Sequence, residues 1–295
     1  MTTRNREHIT QSMYLEDLPN EMLLEILKYK NLDELSILYG TNRRIRSLVI
    51  ETVKSMKMNE GEKNEEVLKA IKEDNRLKIK LLLDVGFDEN YLNYITPLMY
   101  GILSNRKEIV KILLDRGVGD ANGFNYAGST PLCHAIYNNN VDLVKILINA
   151  GANVNRGNMD DDNTPLMCAT NDMVNPEIVR LLIKSGAKVN TKNRLNGNTA
   201  LIIACIRRDR FNAKILLDAG ADITLKNREG EDALFYAKKT GNEKLIDLIS
   251  KSVIQQNKLK KNTKKRQTKQ RKKLKSRRRR NRKKKEKRRG YKINF

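Results

Sequence analysis

Few side chains in this sequence have the types and spacing that chemistry requires. Cys133 and His134 come nearest to a nucleophile with its base. A covalent catalyst needs such a pair within hydrogen-bonding reach. Adjacent side chains on a helix diverge by about 100°, so these two are expected to pack rather than react. Asp160, Asp161 and Asp162 offer the oxygen ligands that a hard cation takes. They fall between periodic segments, and a solvated loop is the expectation there. The three cysteines, Cys133, Cys168 and Cys205, form no CxxC pair, and the two histidines, His8 and His134, lie far apart. A zinc site needs about four converging ligands, and a disulfide framework needs dense, usually even cysteines. Neither a GxxxxGK[ST] loop nor a GxGxxG turn is present. No catalytic residue, metal or cofactor is therefore expected. The chain reads as a binding protein of a reducing compartment.

Charge is the other chemical resource, and it is concentrated. From Lys258 to Arg289 there are 22 Lys or Arg against one acid, Glu286; with Lys292, the segment from 258 carries +22 of the net +24. The body of the chain is almost neutral. Leu259 and Leu274 are the only apolar residues of that basic run. Such a composition cannot bury enough surface to offset chain entropy, so a disordered tail over 252–295 is expected. Clustered cations of this kind suit an import receptor or a nucleic acid, with Arg277, Arg278, Arg279, Arg280, Lys283, Lys284 and Lys285 as the densest part. A nuclear or nucleolar location is the corresponding expectation. Met1–Gln11 is polar and lacks the apolar run of a secretory signal. No stretch of about 18 apolar residues is present to span a membrane.

The elements that would hold a binding surface are visible as a repeat. Thr-Pro-Leu at 96–98, 130–132 and 164–166 aligns with Thr199-Ala200-Leu201 and Asp232-Ala233-Leu234, in steps of 34, 34, 35 and 33. A second mark, a Gly after an apolar pair, falls at Gly86, Gly117, Gly151, Gly186 and Gly220. Thr there caps a helix, and Pro occupies the first helical position, where no backbone donor is needed. Small residues follow at Gly101, Ala135, Ala169, Ala204 and Ala237, where a neighbouring helix must come close. A second helix follows in each unit, as in Glu108–Leu114, Asp142–Ile148 and Glu177–Ile183, with apolar residues at i, i+1, i+4 and i+5. Glycine then permits a left-handed C-cap. Aromatics are only 5% of the chain and Trp is absent, so the core is aliphatic, which suits packed helices.

This pattern resembles the ankyrin repeat, whose period is about 33 residues. The resemblance implies an all-α solenoid over 62–251 of about six units, the first (about 62–94) and last (about 230–251) degenerate. The family's signature His is replaced throughout by Met99, Cys133, Met167, Ile202 and Phe235. The resemblance further implies that target proteins meet the projecting loops and first helices. Phe124, Tyr126, Met159, Arg194 and Arg228 are the expected contacts there, since aromatics and Arg dominate interfaces.

Residues 14–55 follow a different pattern, behind a flexible start over 1–13. Leu18-Pro19 and Glu21 open a helix with a Met22, Leu23, Ile26, Leu27 stripe; Leu35 and the basic Arg43-Arg44-Ile45-Arg46 come after. Two further short helices fit. The order Leu-Pro, Glu, Ile-Leu, Leu, then basic residues resembles the F-box. That resemblance implies docking on the Skp-type linker of a cullin–RING ubiquitin ligase through Leu18, Pro19, Met22, Leu23, Ile26, Leu27 and Leu35. Lys30 stands where the family usually has Leu. The other reading of the residues is a helical cap over the first repeat. An F-box followed by ankyrin repeats resembles proteins abundant in giant DNA viruses of amoebae. The combined expectation is a monomeric substrate adaptor; the alternative is an ankyrin scaffold tethered to nucleic acid by its tail.

Overall fold

A computed structural model describes residues 15, 18–86, 95–125, 127–170, 174–258, 270–271 and 274–276. Three helices come first: α1 (Asn20–Lys28), α2 (Leu32–Tyr39) and α3 (Arg43–Ser55). Local chemistry sets their starts. Pro19 precedes α1 and Glu21 lies in its first turn. Asn31 and Glu34 form a reciprocal capping box on α2. The Asn42 side chain accepts from the Ile45 N–H at the head of α3.

Among the described residues, six helical hairpins follow. They are α4 (Glu60–Lys72) with α5 (Arg76–Asp84), α6 (Pro97–Leu103) with α7 (Lys107–Asp115), and α8 (Pro131–Tyr137) with α9 (Val141–Asn149). Next come α10 (Pro165–Cys168) with α11 (Pro176–Lys184), α12 (Ala200–Ile206) with α13 (Arg210–Asp218), and α14 (Ala233–Lys239) with α15 (243–258). No strand occurs among the described residues. The fold is an all-helical solenoid.

The repeated residues do the same work in each unit. Thr96, Thr130, Thr164 and Thr199 accept from the N–H three residues on, and Asp232 does so in the last unit. The landmark glycines, Gly86 to Gly220, all hold positive φ between 71° and 91°. Gly101, Ala135, Ala169, Ala204 and Ala237 are buried, and a Cβ on Gly101 would come to 3.1 Å from the Val110 side chain. Small size at this place lets the two helices of a unit close on each other.

One continuous apolar core runs from Val67 to Ile249. Met99, Cys133, Met167 and Ile202, at the signature-His position, are sealed between neighbouring units. Phe235 holds the same position in the last unit, where no further unit follows, and is 43% exposed. The last helix continues seven residues past the expected boundary at 251. Val253 packs on the core, and the Gln256 amide donates to the Ala221 carbonyl at 2.7 Å. Residues 252–258 therefore belong to the stack rather than to the tail.

A second core lies under α1–α3, built from Leu23, Leu27, Leu35, Tyr39, Ile45, Leu48, Val49 and Val53. Leu81 of α5 completes it. Polar contacts cross the same junction. Lys78, fully enclosed, places its Nζ 2.6 Å from Asp33 and 2.5 Å from Glu66. The Tyr39 hydroxyl donates to Asp84 at 2.6 Å, and Arg116 of the next unit holds the other oxygen at 2.5 Å. The first three helices thus sit directly on the first hairpin.

Candidate functional site

Among the described residues, four projecting loops are closed by an asparagine at the base. The side-chain oxygens of Asn125, Asn158, Asn193 and Asn227 accept from the N–H of Ser129, Asn163, Asn198 and Glu231, at 2.8 to 3.0 Å. The residue after each asparagine is then Tyr126, Met159, Arg194 or Arg228. Tyr126 lies outside the described residues. The other three form a row. The N–H of Met159 donates to Gly128, that of Arg194 to Asp161 and that of Arg228 to Asn196, at 2.8 to 2.9 Å. Each loop tip thus bonds to the one before it.

Within this row the expected contacts differ in freedom. Met159 is 57% exposed. Arg194 turns its guanidinium onto the carbonyls of Met159 and Asp160, at 2.6 and 3.1 Å, so part of its donor set already holds the neighbouring loop. Phe124 is half-buried, with the Arg156 guanidinium 4.3 Å above its ring. The sequence reading passed over Arg156, and over Leu195, which is 66% exposed at a tip. It also missed a second row at the ends of the inner helices: Leu103, Tyr137 and Ile206, each exposed and each seven residues after its capping Thr. That constant spacing is the signal that would have found them. Asp160–Asp162 lie beside this surface, and the Asp161 carboxylate accepts from the Asn163 backbone and side-chain amides.

The thiols and the imidazole sit behind these rows. Cys133 points at Cys168, Sγ to Sγ 3.5 Å, and the Tyr137 hydroxyl donates to Cys168 at 3.2 Å. His134 faces the other way and accepts from the Asn125 amide at 2.8 Å. Burial pushes the His134 pKa down, which favours the neutral ring. Burial, with the contacts to Cys168, pushes the Tyr137 phenol up. Among the described residues no group of three His, Cys, Asp or Glu is placed to hold a metal ion, and no helix is long and apolar enough to cross a membrane.

The N-terminal stripe divides into two sets. Leu23, Leu27 and Leu35 face inward and are 0–2% exposed. Leu18 is half-buried. Pro19, Met22 and Ile26 face solvent, as does Tyr29, which the sequence reading omitted and which is 84% exposed. Direct contact with a linker is therefore open to Pro19, Met22, Ile26 and Tyr29. The three buried leucines hold that face in place instead: α1 packs on α3 and α2 on α5, in one core that includes Leu81. The tail residues Arg277–Arg280 and Lys283–Lys285 lie outside the described residues.

Comparison with known proteins places this architecture. Ankyrin repeat models match three overlapping stretches, 67–158, 119–193 and 174–264, more than half of the chain. The chain belongs to the ankyrin repeat family, and its stack is a protein-binding scaffold. The matched stretches begin past α1–α3. No curated protein sequence matches the chain. Among solved structures it is similar to one chain of the complex between the predatory endopeptidase Bd0816 of Bdellovibrio bacteriovorus and the immunity protein Bd3460. That match has 29% identity and a TM-score of 0.56, covering 63% of this chain and 97% of the other. It is also similar to the ankyrin repeat domain of Bcl-3, a member of the IkappaB family. Identity there is 22% and the TM-score 0.58, over 63% of this chain and 85% of that one; at this identity the likeness concerns the fold alone.

Proposed function

We propose that this protein is a substrate adaptor. Its first three helices dock on the Skp-type linker of a cullin–RING ligase, and the repeat surface holds the protein to be modified. One observation carries the reading. Met22 and Ile26 on α1, with Pro19 and Tyr29 at its ends, expose an apolar face, although Leu23 and Leu27 on the opposite side already bury α1 against α3. A segment serving only as a lid on the first hairpin has no use for that face, since α2 makes the contact with α5, the Tyr39–Asp84 bond included. An exposed apolar face that folding does not need suits a partner.

The target is held by the two rows described above. Met159, Leu195 and Arg228 at the loop tips, with Arg156 over Phe124, flank Leu103, Tyr137 and Ile206 on the inner helices. Arg277–Arg280 and Lys283–Lys285 carry the chain to the nucleus by engaging an import receptor. Affinity capture with the Skp-type linker tests the docking step. Met22→Asp with Ile26→Asp should abolish capture without lowering the melting temperature, because both side chains face solvent. Linker that stays bound to the double variant, or never binds the wild type, would remove the adaptor reading. Deleting 259–295 tests the import step, and unchanged localisation would remove it.

A further inference from the structure

The outer helices carry an ion-pair pattern that stops at one place. The first turn of α7, α9 and α11 offers an acid at corresponding positions: Glu108, Asp142 and Glu177. Two of these accept a cation from the unit before. Lys107 reaches Asp142 at 3.1 Å, and Lys145 reaches Glu177 at 2.9 Å. In α13 the same position holds Phe211, which is 73% exposed. Arg180 stands one unit on from Lys145, so Phe211 replaces the acid it would have met. Among the described residues Arg180, Arg207, Arg208, Arg210 and Lys214 form no ion pair. An exposed ring where an acid would favour the helix's positive end is a poor choice for stability.

Arg208 adds a second irregularity. It holds φ 61° in the turn before α13, a conformation that Asn105 and Asn139 hold in the corresponding turns. The left-handed region suits Asn far better than Arg, so the cation there is kept at a cost.

Three of these residues, Arg180, Phe211 and Lys214, meet in one place. Arg180, Phe211, Lys214 and Asp218 are among the residues that line a shallow cleft of about 340 Å³ between α11 and α13. The Arg210 guanidinium lies 5.9 Å from the Phe211 ring centre. A solvent-facing ring beside unpaired cations can take a base and its phosphates together. An acidic side chain would use the cations and leave the ring idle. The segment from 258, with its +22 charge, draws the same kind of polyanion.

We propose that the cleft between α11 and α13 binds single-stranded nucleic acid. A base stacks on Phe211, and Arg180, Arg210 and Lys214 hold the backbone phosphates. Binding is sequence-blind, because a ring and point charges read no base edge. The site lies on the outer helices, away from the linker-docking face of α1, and does not depend on the adaptor reading.

The full-length chain is cross-linked by light to a single-stranded oligonucleotide bearing thio-substituted bases, and the adducts are mapped by mass spectrometry. Affinity is measured beside this by fluorescence anisotropy at several salt concentrations. Phe211→Glu is the decisive variant, because it gives Arg180 the acid that Lys145 has in Glu177 and so preserves the stack. Adducts are expected within 207–214 as well as in the tail. Phe211→Glu should remove the former and weaken affinity about tenfold, as loss of one stacked base does, without lowering the melting temperature. Phe211→Ser, which adds no charge, should show the same loss. Arg180→Gln with Lys214→Gln should flatten the log–log salt slope by about 1.4, at roughly 0.7 per phosphate. Adducts confined to the tail, or unchanged affinity in both Phe211 variants, would overturn the proposal. Polyglutamate binding that Phe211→Ser abolishes while oligonucleotide binding survives would overturn it too, and would assign the cleft to an acidic protein.

Discussion

Lys78 joins two parts of the chain through one ammonium. Burial alone would push its pKa down, but the hydrogen bonds with Asp33 and Glu66 outweigh that and leave it raised above 10.5. Asp33 is held below the ordinary 3.8, chiefly by its hydrogen bond with Lys78. Asp84 is also lowered: burial opposes this, but the bonds from Arg116 and Tyr39 prevail. For a depressed carboxylate the stabilising share is complete above the unfolded value and is lost as pH falls through the folded one. For a raised lysine the share is complete below 10.5 and is lost as pH rises past its folded value. The melting temperature should therefore stay level through neutral pH and fall at both extremes, below 3.8 and above 10.5. Lys78→Ala should cost about 1–3 kcal/mol by urea denaturation, the range for hydrogen bonds to charged groups, because the carboxylates left behind still reach solvent. It should also weaken the acid limb. A variant as stable as wild type would show that the junction does not need the pair. The thiols make a second expectation. Cys205 is pushed up to about 12 by burial, and Cys133 and Cys168 are fully covered. An aromatic disulfide reagent at pH 8 should find no reactive thiol until the protein is denatured.

The helices owe their ends to local signals and their stacking to distant ones. Thr130→Ala removes the cap on α8 and should cost about 1 kcal/mol. Between units the staples are asparagines. Asn122, Asn155 and Asn190 each donate to the carbonyl of the next unit's glycine, Gly151, Gly186 and Gly220, at 3.1 to 3.3 Å. Each also accepts from the N–H of Asn153, Lys188 or Asp222, at 2.6 to 2.8 Å. Asn155→Ala should lose both bonds of one staple, about 1–2 kcal/mol, and speed hydrogen exchange at the Lys188 amide while Asp222 keeps its protection. Equal changes at both amides would argue against local staples. The contrast explains what the sequence could tell. Thr-Pro-Leu and the terminal glycines were legible because each acts on its own helix. The asparagines were not, because their partners lie about one repeat away. Leu23, Leu27 and Leu35 were legible as apolar but not as inward-facing, since the core they enter is shared with side chains of α3 and with Leu81 of α5. Phe211 was missed for a related reason: it stands out only beside Asp142 and Glu177 of other units.

In a solenoid each unit touches only its neighbours, so the ends decide how the whole array melts. At the C-terminal end α15 closes the stack through Leu245, Ile249 and Val253, and Gln256 bonds back to Ala221. Removing 259–295 should leave the melting temperature unchanged by calorimetry, while removing 252–295 should lower it. Equal melting of the two truncations would show that 252–258 contribute nothing to the last unit. At the opposite end the chain begins its stack with α1–α3 seated on α5, and Lys78 is sealed beneath them. An amine that solvent never meets cannot be acylated. Mild treatment with an activated ester should mark the tail lysines at once and spare Lys78. Its slow labelling would then time each occasion on which the first three helices lift away, and a ligand that clamps them down would lengthen that interval.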